Sequence, residues 1–192
     1  MKLIKGKLGK LDVGDELPVR VFGVINLSKT SFYQSSIASS SKEIELAVKK
    51  MVDEGMDGLD FGAQSTRPIQ IYGGEGRVDE ETEFSIIKNA SKIILDTLSS
   101  YNNVELSVDT TRSSIAEYAL NQGIEIINDI SGFKKDNKMA KTIAEFDASA
   151  VLMAAKQEPG DIYKLEEIKE ELRISTEIGV DSGIREENIV LD

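Results

Sequence analysis

Two apolar runs, each ending in short polar side chains, constrain this chain more than any other feature. The first reads Leu106-Ser-Val-Asp109-Thr, and the second reads Ile124-Glu-Ile-Ile-Asn128-Asp-Ile-Ser-Gly132. Between them, Ser113 to Gln122 is just long enough for one helix that crosses back before Gly123. Parallel strands need such a crossover, so the segment predicts a β–α–β unit. Asp109 and Asn128 then stand at the carboxyl ends of neighbouring parallel strands, the face on which α/β barrels assemble their chemistry.

The rest of the chain repeats this pattern. Residues 1–17 alternate apolar residues with Lys and Gly, with turn residues at Asp12 to Asp15, and predict a small β-hairpin ahead of the main fold, capping one end of it. A buried strand is predicted over Val19–Ile25, ended by Asn26. Ser40 and Glu43 have capping-box spacing ahead of a helix carrying Ile44, Val48, Met51 and Val52, stopped at Gly55. Gly58-Leu-Asp-Phe-Gly reads as the second strand. Asp79 caps a helix with Glu80, Glu81 and Glu83 in its first turn, where the dipole favours anions, and Phe84, Ile87, Ile94 and Leu98 on its apolar face. After the two strands at Asp109 and Asn128 come a helix near Met139–Phe146 and a fifth strand, Ala148–Met153. A helix marked by Ile162, Leu165, Ile168 and Leu172 precedes a sixth strand, Asn188–Leu191. The strands are too apolar to face water on either side, which implies a parallel sheet covered by helices. The expected class is α/β. Six β–α units fit a TIM (β/α)8 barrel lacking its last two strands, with exposed edges at strands one and six, or an open sheet of another kind.

Composition narrows the chemistry. The 192 residues show no Pro/Gly/Ser-rich linker or composition shift, so residues 1–192 are expected to form one domain. A net charge of -11 repels phosphate backbones and argues against nucleic acid as a partner. With no Cys and no His, thiol nucleophiles, thiolate metal sites and imidazole bases are all excluded. The basic start lacks a signal peptide's apolar stretch and no run reaches transmembrane length, so a cytoplasmic protein without membrane contact is expected.

Five of the six predicted strands end in Asn or Asp: Asn26, Asp60, Asp109, Asn128 and Asp192. Singly, each is an ordinary turn-former. Together they converge on one mouth, where carboxylates and carboxamides suit a neutral heterocycle rich in N–H donors, such as a pterin or purine edge. They also suit Mg²⁺, which takes oxygen ligands. Ser65-Thr66-Arg67-Pro68 places a guanidinium fork just past strand two, suited to an anionic group. Gly73-Gly-Glu-Gly does not directly follow a strand and reads as a hinge, not a nucleotide cradle. Lys134 and Lys135 read as solvated charges.

At these residues the sequence resembles dihydropteroate synthase and its pterin-binding barrel family, with the Ser-Phe-Tyr run closer to archaeal members. The matching pieces are Val24-Ile-Asn-Leu-Ser with Ser31-Phe32, Asp60-Phe-Gly with Ser65-Thr-Arg-Pro, Ser107-Val-Asp-Thr, and Ile127-Asn-Asp-Ile-Ser-Gly. Val151-Leu-Met and Asn188-Ile-Val-Leu-Asp extend the match in the family's order. The resemblance implies a (β/α)8 barrel that joins 6-hydroxymethyl-7,8-dihydropterin pyrophosphate to p-aminobenzoate or a related arylamine and releases pyrophosphate, in folate or methanopterin-type synthesis. It implies that Asp109, Asn128 and Asp192 hydrogen-bond the pterin, that Ile130 and Met153 wall the pocket, and that Asn26 lies near pyrophosphate and Mg²⁺. It further implies that Thr66 and Arg67 belong to a loop closing over the leaving group and amine, and that a full-length form is a homodimer.

The departures from the family pattern set further expectations. Lys29-Thr30 and Gln34 replace a usual Pro-Asp and a later Asp, Ala63-Gln64 replaces Gly-Glu, and Ala154 replaces a His. The family's Lys at strand seven and Ser-x-Arg-x-His at strand eight have no counterpart, so this chain alone is expected to be a poor catalyst. Two alternatives follow: a pterin-dependent methyltransferase, against which Thr66 and Arg67 argue, and a non-catalytic pterin-binding module.

Overall fold

A six-stranded parallel sheet forms the centre of the molecule, and its strands lie side by side in sequence order. The structure is a computed structural model that describes residues 5–27, 40–64, 78–101, 103–156 and 161–192. The expected hairpin is present as β1 (Lys5–Leu8) paired antiparallel with β2 (Leu11–Gly14). Its tight loop is Gly9-Lys10, with Gly9 at φ 58°, and not the Asp12–Asp15 stretch. That stretch instead completes β2 and forms a second turn beyond it.

The sheet begins with β3 (Phe22–Asn26) and continues through α1 (Ser41–Asp53), β4 (Gly58–Gly62), α2 (Glu80–Leu98), β5 (Glu105–Asp109) and α3 (Ser113–Asn121). It then runs through β6 (Ile126–Asp129), α4 (Met139–Glu145), β7 (Ser149–Leu152), α5 (Leu165–Asp181) and β8 (Ile189–Leu191), the last entered by a 3₁₀ turn over Glu186–Asn188. A doubly wound sheet reverses strand order at a switch point. This one never does, as in a singly wound barrel, and β3 and β8 are its edges among the described residues. Val24 and Leu191 on those edges are 51% and 48% exposed.

Alternation decides which face is which. Leu59 and Phe61 of β4, Val108 of β5, Ile127 of β6 and Leu152 of β7 are fully buried beneath the helices. They meet Ile87 and Ile94 of α2, Ile115 of α3 and Ile143 of α4 in one apolar cluster. Each such burial stabilises the fold by about 1.5–3 kcal/mol. The opposite, inward face carries Asp60, Glu105, Ser107, Asp109, Asn128 and Ser149. The helices end as their sequences dictate. Ser40 and Glu43 make the reciprocal capping box of α1, and Asp79 accepts the Thr82 N–H at 2.9 Å to open α2.

The hairpin closes the amino-terminal end of the sheet. Gly9 donates its N–H to Ser149 Oγ at 3.0 Å, and Lys10 pairs with Glu125 at 3.0 Å. Gly9 adopts φ +58°, a conformation that strains other residues, and a Cβ there would sit 2.3 Å from Glu105 Oε2.

Two element boundaries and one side chain differ from expectation. Strand β3 starts at Phe22, not Val19, because the preceding backbone is tied to Asp57. Asp57 accepts the Val21 N–H at 2.8 Å and Arg20 Nη1 at 3.0 Å, leaving Val19 and Val21 exposed. Helix α5 excludes Ile162 and runs on to Asp181, burying the small residues Ser175 and Gly179. Lys134 is not simply solvated: its ammonium is 2.9 Å from Glu171 and donates to the Ala155 carbonyl at 2.7 Å.

Candidate functional site

The carboxyl ends of the strands bring the expected polar residues onto one rim. In register, Asn26 of β3 faces Gly62, Gly62 faces Asp109, and Asp109 faces Asn128. All three polar residues share the inward face and are half-buried. Met153 directly follows β7 and falls on the same face by alternation, while Ile130 opens the turn after β6; both are half-buried. Asp192 follows β8, is exposed, and donates its N–H to the Leu152 carbonyl at 2.9 Å. Thr66 and Arg67 lie outside the described residues, as does the Gly73 loop.

Gly62 creates room for Asp109. A Cβ there would come within 2.9 Å of Asp109 Cβ and 3.1 Å of its carbonyl oxygen. The Thr110 N–H donates to the Asn128 carbonyl at 3.1 Å, which locks the ends of β5 and β6 together. Asn128 is not the last residue of its strand; Asp129 is. Asp129 points outward and is fully buried, accepting the Ser131 N–H and hydroxyl at 2.8 and 2.6 Å and the Phe133 N–H at 3.0 Å. This carboxylate folds the turn that carries Ile130. Gly132, at φ 58°, packs where a Cβ would meet Ser175 Oγ at 2.3 Å and the Met153 carbonyl at 3.1 Å.

Asp60 departs from expectation. It is the middle residue of β4, not its end, and lies one rung beneath the rim. Ser107 donates its hydroxyl to Asp60 Oδ1 at 2.5 Å, and Asn128 donates its amide to Oδ2 at 3.3 Å. Burial pushes the Asp60 carboxyl up from its ordinary range, with the Asp192 charge adding to the rise. Asp109 is held well above that range, first by burial and then by the charges of Asp60, Glu83 and Asp129. Both oxygens of Asp60 already accept hydrogen bonds, which favours the ionised form of Asp60 over that of Asp109.

A second network supports the rim, and its partners lie far apart in the chain. Glu83 is not a solvated first-turn acid: it is fully buried. It accepts from Thr110 Oγ1 at 2.6 Å, from Gln64 Nε2 and from Arg112 Nη1. Arg112 also donates to the Val78 carbonyl at 2.9 Å. Glu83 and Arg112 therefore hold Gln64 and Val78, which flank residues 65–77, to the segment that follows Asp109.

No group of three His, Cys, Asp or Glu side chains able to hold a metal converges among the described residues. Asn26 offers one neutral oxygen, which fits a Mg²⁺ that arrives on a substrate's phosphates, since Mg²⁺ usually keeps several waters. No helix among the described residues is long and apolar enough to cross a membrane.

An in-order parallel sheet with polar inward side chains at its carboxyl ends defines a barrel-type small-molecule site. The chain belongs to the pterin-binding enzyme family, whose model matches residues 22–192. It is 34% identical over 175 residues to dihydropteroate synthase of Clostridium beijerinckii, covering 90% of this chain and 61% of that one. Dihydropteroate synthase of Bacillus subtilis is also 34% identical, over 172 residues, with 90% and 57% covered. The structure of a Coxiella burnetii dihydropteroate synthase in complex with pteroic acid superimposes with a TM-score of 0.76 at 27% identity, covering 98% of this chain and 65% of that one. The chain thus spans about 60% of the length of these relatives.

Proposed function

We infer that residues 1–192 form a pterin-binding barrel domain of a dihydropteroate synthase-like transferase. Its substrates would be 6-hydroxymethyl-7,8-dihydropterin pyrophosphate and p-aminobenzoate or a related arylamine. The observation that carries this reading is the in-register convergence of Asn26, Asp109 and Asn128 on one rim, with Asp60 beneath them. A carboxyl and a carboxamide side by side match the mixed donors and acceptors of a pterin edge. Ile130 and Met153 give the ring faces dispersion contacts, and Asp192 adds a third acceptor on the far side.

In this reading the C–O bond to pyrophosphate breaks as the amine nitrogen forms a C–N bond to the pterin methylene. The amine loses one proton and pyrophosphate departs. Positive charge grows on the pterin during C–O cleavage, and the carboxylates of Asp60, Asp109 and Asp192 stabilise it in place. Asn26 would lie near the leaving group and any Mg²⁺ it carries, while Thr66 and Arg67 would contact the leaving group and the amine. The reading also carries a cytoplasmic location and a homodimeric full-length enzyme. Nucleic acid is disfavoured by the net charge of -11.

Calorimetric titration with 6-hydroxymethylpterin, with and without Mg²⁺ and pyrophosphate, tests the reading. Binding is expected, and Asp109→Asn should weaken it about tenfold or more, because a charge-assisted acceptor for ring N–H groups is lost. A folded chain that binds no pterin, or an unchanged affinity in Asp109→Asn, would refute it.

A further inference from the structure

A carboxamide is almost symmetric in shape, so packing alone does not decide which end of Asn128 is oxygen and which is nitrogen. Chemistry decides it here. An ionised carboxylate only accepts hydrogen bonds. Asp60 presents Oδ2 to Asn128 at 3.3 Å, and its other oxygen is taken by the Ser107 hydroxyl at 2.5 Å. Asn128 must therefore turn its NH₂ inward and down. Its carbonyl oxygen and second amide N–H are left for the mouth in one fixed order. Asp60 itself sits one rung below the rim, where Ser107 fixes it from the neighbouring strand.

We propose that Asp60 is a positioning residue that sets the hydrogen-bonding sense of Asn128. It thereby selects heterocycles by the order of donor and acceptor along their edge. This deepens the pterin reading and rests on it. The substitution that isolates the effect is Asp60→Asn, which keeps shape and volume. A carboxamide at position 60 can meet Asn128 with either its oxygen or its nitrogen, and the Ser107 hydroxyl can donate or accept to suit. The variant should fold and bind, yet no longer dictate the sense of Asn128.

The probes are 6-hydroxymethylpterin and its 7,8-dihydro form. They have the same outline, but ring nitrogen N8 is an acceptor in the first and an N–H donor in the second. A fixed carboxamide should distinguish them about tenfold, the scale of one correct against one inverted bidentate pairing. Calorimetric titration of the unsubstituted chain, Asp60→Asn and Asp60→Ala with both probes is the test, with folding of each variant checked by urea unfolding. The expected result is that the ratio of the two dissociation constants falls toward one in both variants. Parallel weakening with the ratio unchanged would overturn the proposal while leaving the pterin site standing, and so would equal affinities in the unsubstituted chain. Failure of the unsubstituted chain to bind either probe would overturn both.

Discussion

Removing Arg112 should cost more than neutralising Glu83, although the two groups form one ion pair. The asymmetry comes from where each lies: the Glu83 side chain is fully buried, whereas that of Arg112 is 25% exposed. Arg112→Ala leaves a buried carboxylate without this counter-charge, held among the described residues by Thr110 and Gln64, and also frees the Val78 carbonyl. An uncompensated buried charge of this kind costs about 3–5 kcal/mol. Glu83→Gln leaves the positive end of the pair near solvent, able to rehydrate, and keeps an oxygen for Thr110. The amide it introduces faces the donors of Arg112 and Gln64, which costs about 1–3 kcal/mol. Urea unfolding at pH 7 measures both, as midpoints at unchanged slope. In the double variant no buried charge remains to be abandoned, so its cost should fall short of the sum by about 1–3 kcal/mol. A Glu83→Gln cost equal to or above that of Arg112→Ala, or strict additivity, would refute this account of the network.

Gly62→Ala drives a methyl against Asp109 Cβ, 2.9 Å away, and against backbone beside it. Overpacking there should cost about 1–3 kcal/mol and displace the Asp109 carboxyl, so pterin affinity should fall while the circular dichroism spectrum stays native; unaltered affinity would place Asp109 outside the contact. Stability should also depend on pH in a direction set by burial. Asp60, Asp109, Asp129 and Glu105 all titrate above their ordinary values in the folded chain, burial being the largest cause in each. The folded state therefore binds more protons than the unfolded state between the ordinary carboxylate range and these raised values. Their contribution is fully present at acid pH and is lost as pH rises through that window. Asp57, lowered chiefly by the Val21 N–H, opposes this only as pH falls through its own depressed value. The unliganded chain should thus unfold at higher urea near pH 5 than at pH 8, and a midpoint that rises with pH across that interval would contradict it.

The central strands were legible because burial on both faces leaves little choice of residue. Phe61 and Val108 are fully buried beneath helices, while the polar residues on the opposite face recur at even spacing. The errors fall where a different force set the structure. Val19 and Val21 look like strand residues, but Asp57 captures the Val21 N–H that a ladder would use. The second half of helix α5 shows less plainly in the sequence, because its buried residues are Ser175 and Gly179. A Cβ at Gly179 would sit 2.9 Å from Ile189 Cδ1 and 3.1 Å from Phe133 Cε2, so close approach replaces the apolar stripe that periodicity detects. Strand order beyond nearest neighbours leaves no local mark; the unreversed order of β3 to β8 follows from the barrel that the family resemblance implies, and the sheet has it.

The rim residues could be read from the sequence because they end strands; the residues that hold them could not. Glu83 looked like a helix-start acid, and its link to Arg112 spans a separation in the chain that no local pattern encodes. Asp60 reads in the sequence as a strand end, yet its position in mid-strand gives it its partners. Two carboxyls on the inward face, one beneath the other, resist ionisation: burial comes first and their mutual repulsion adds to it, holding Asp109 well above the ordinary range. A sheet selected for stability alone would carry Val or Ile there, as it does on the opposite face. Local rules fail most often where function is served at a cost to stability. In this chain the departures from an apolar strand pattern gather at Asp60, Ser107, Asp109 and Asn128. Those are the positions at which a ligand's donors and acceptors could replace the water that the sheet excludes.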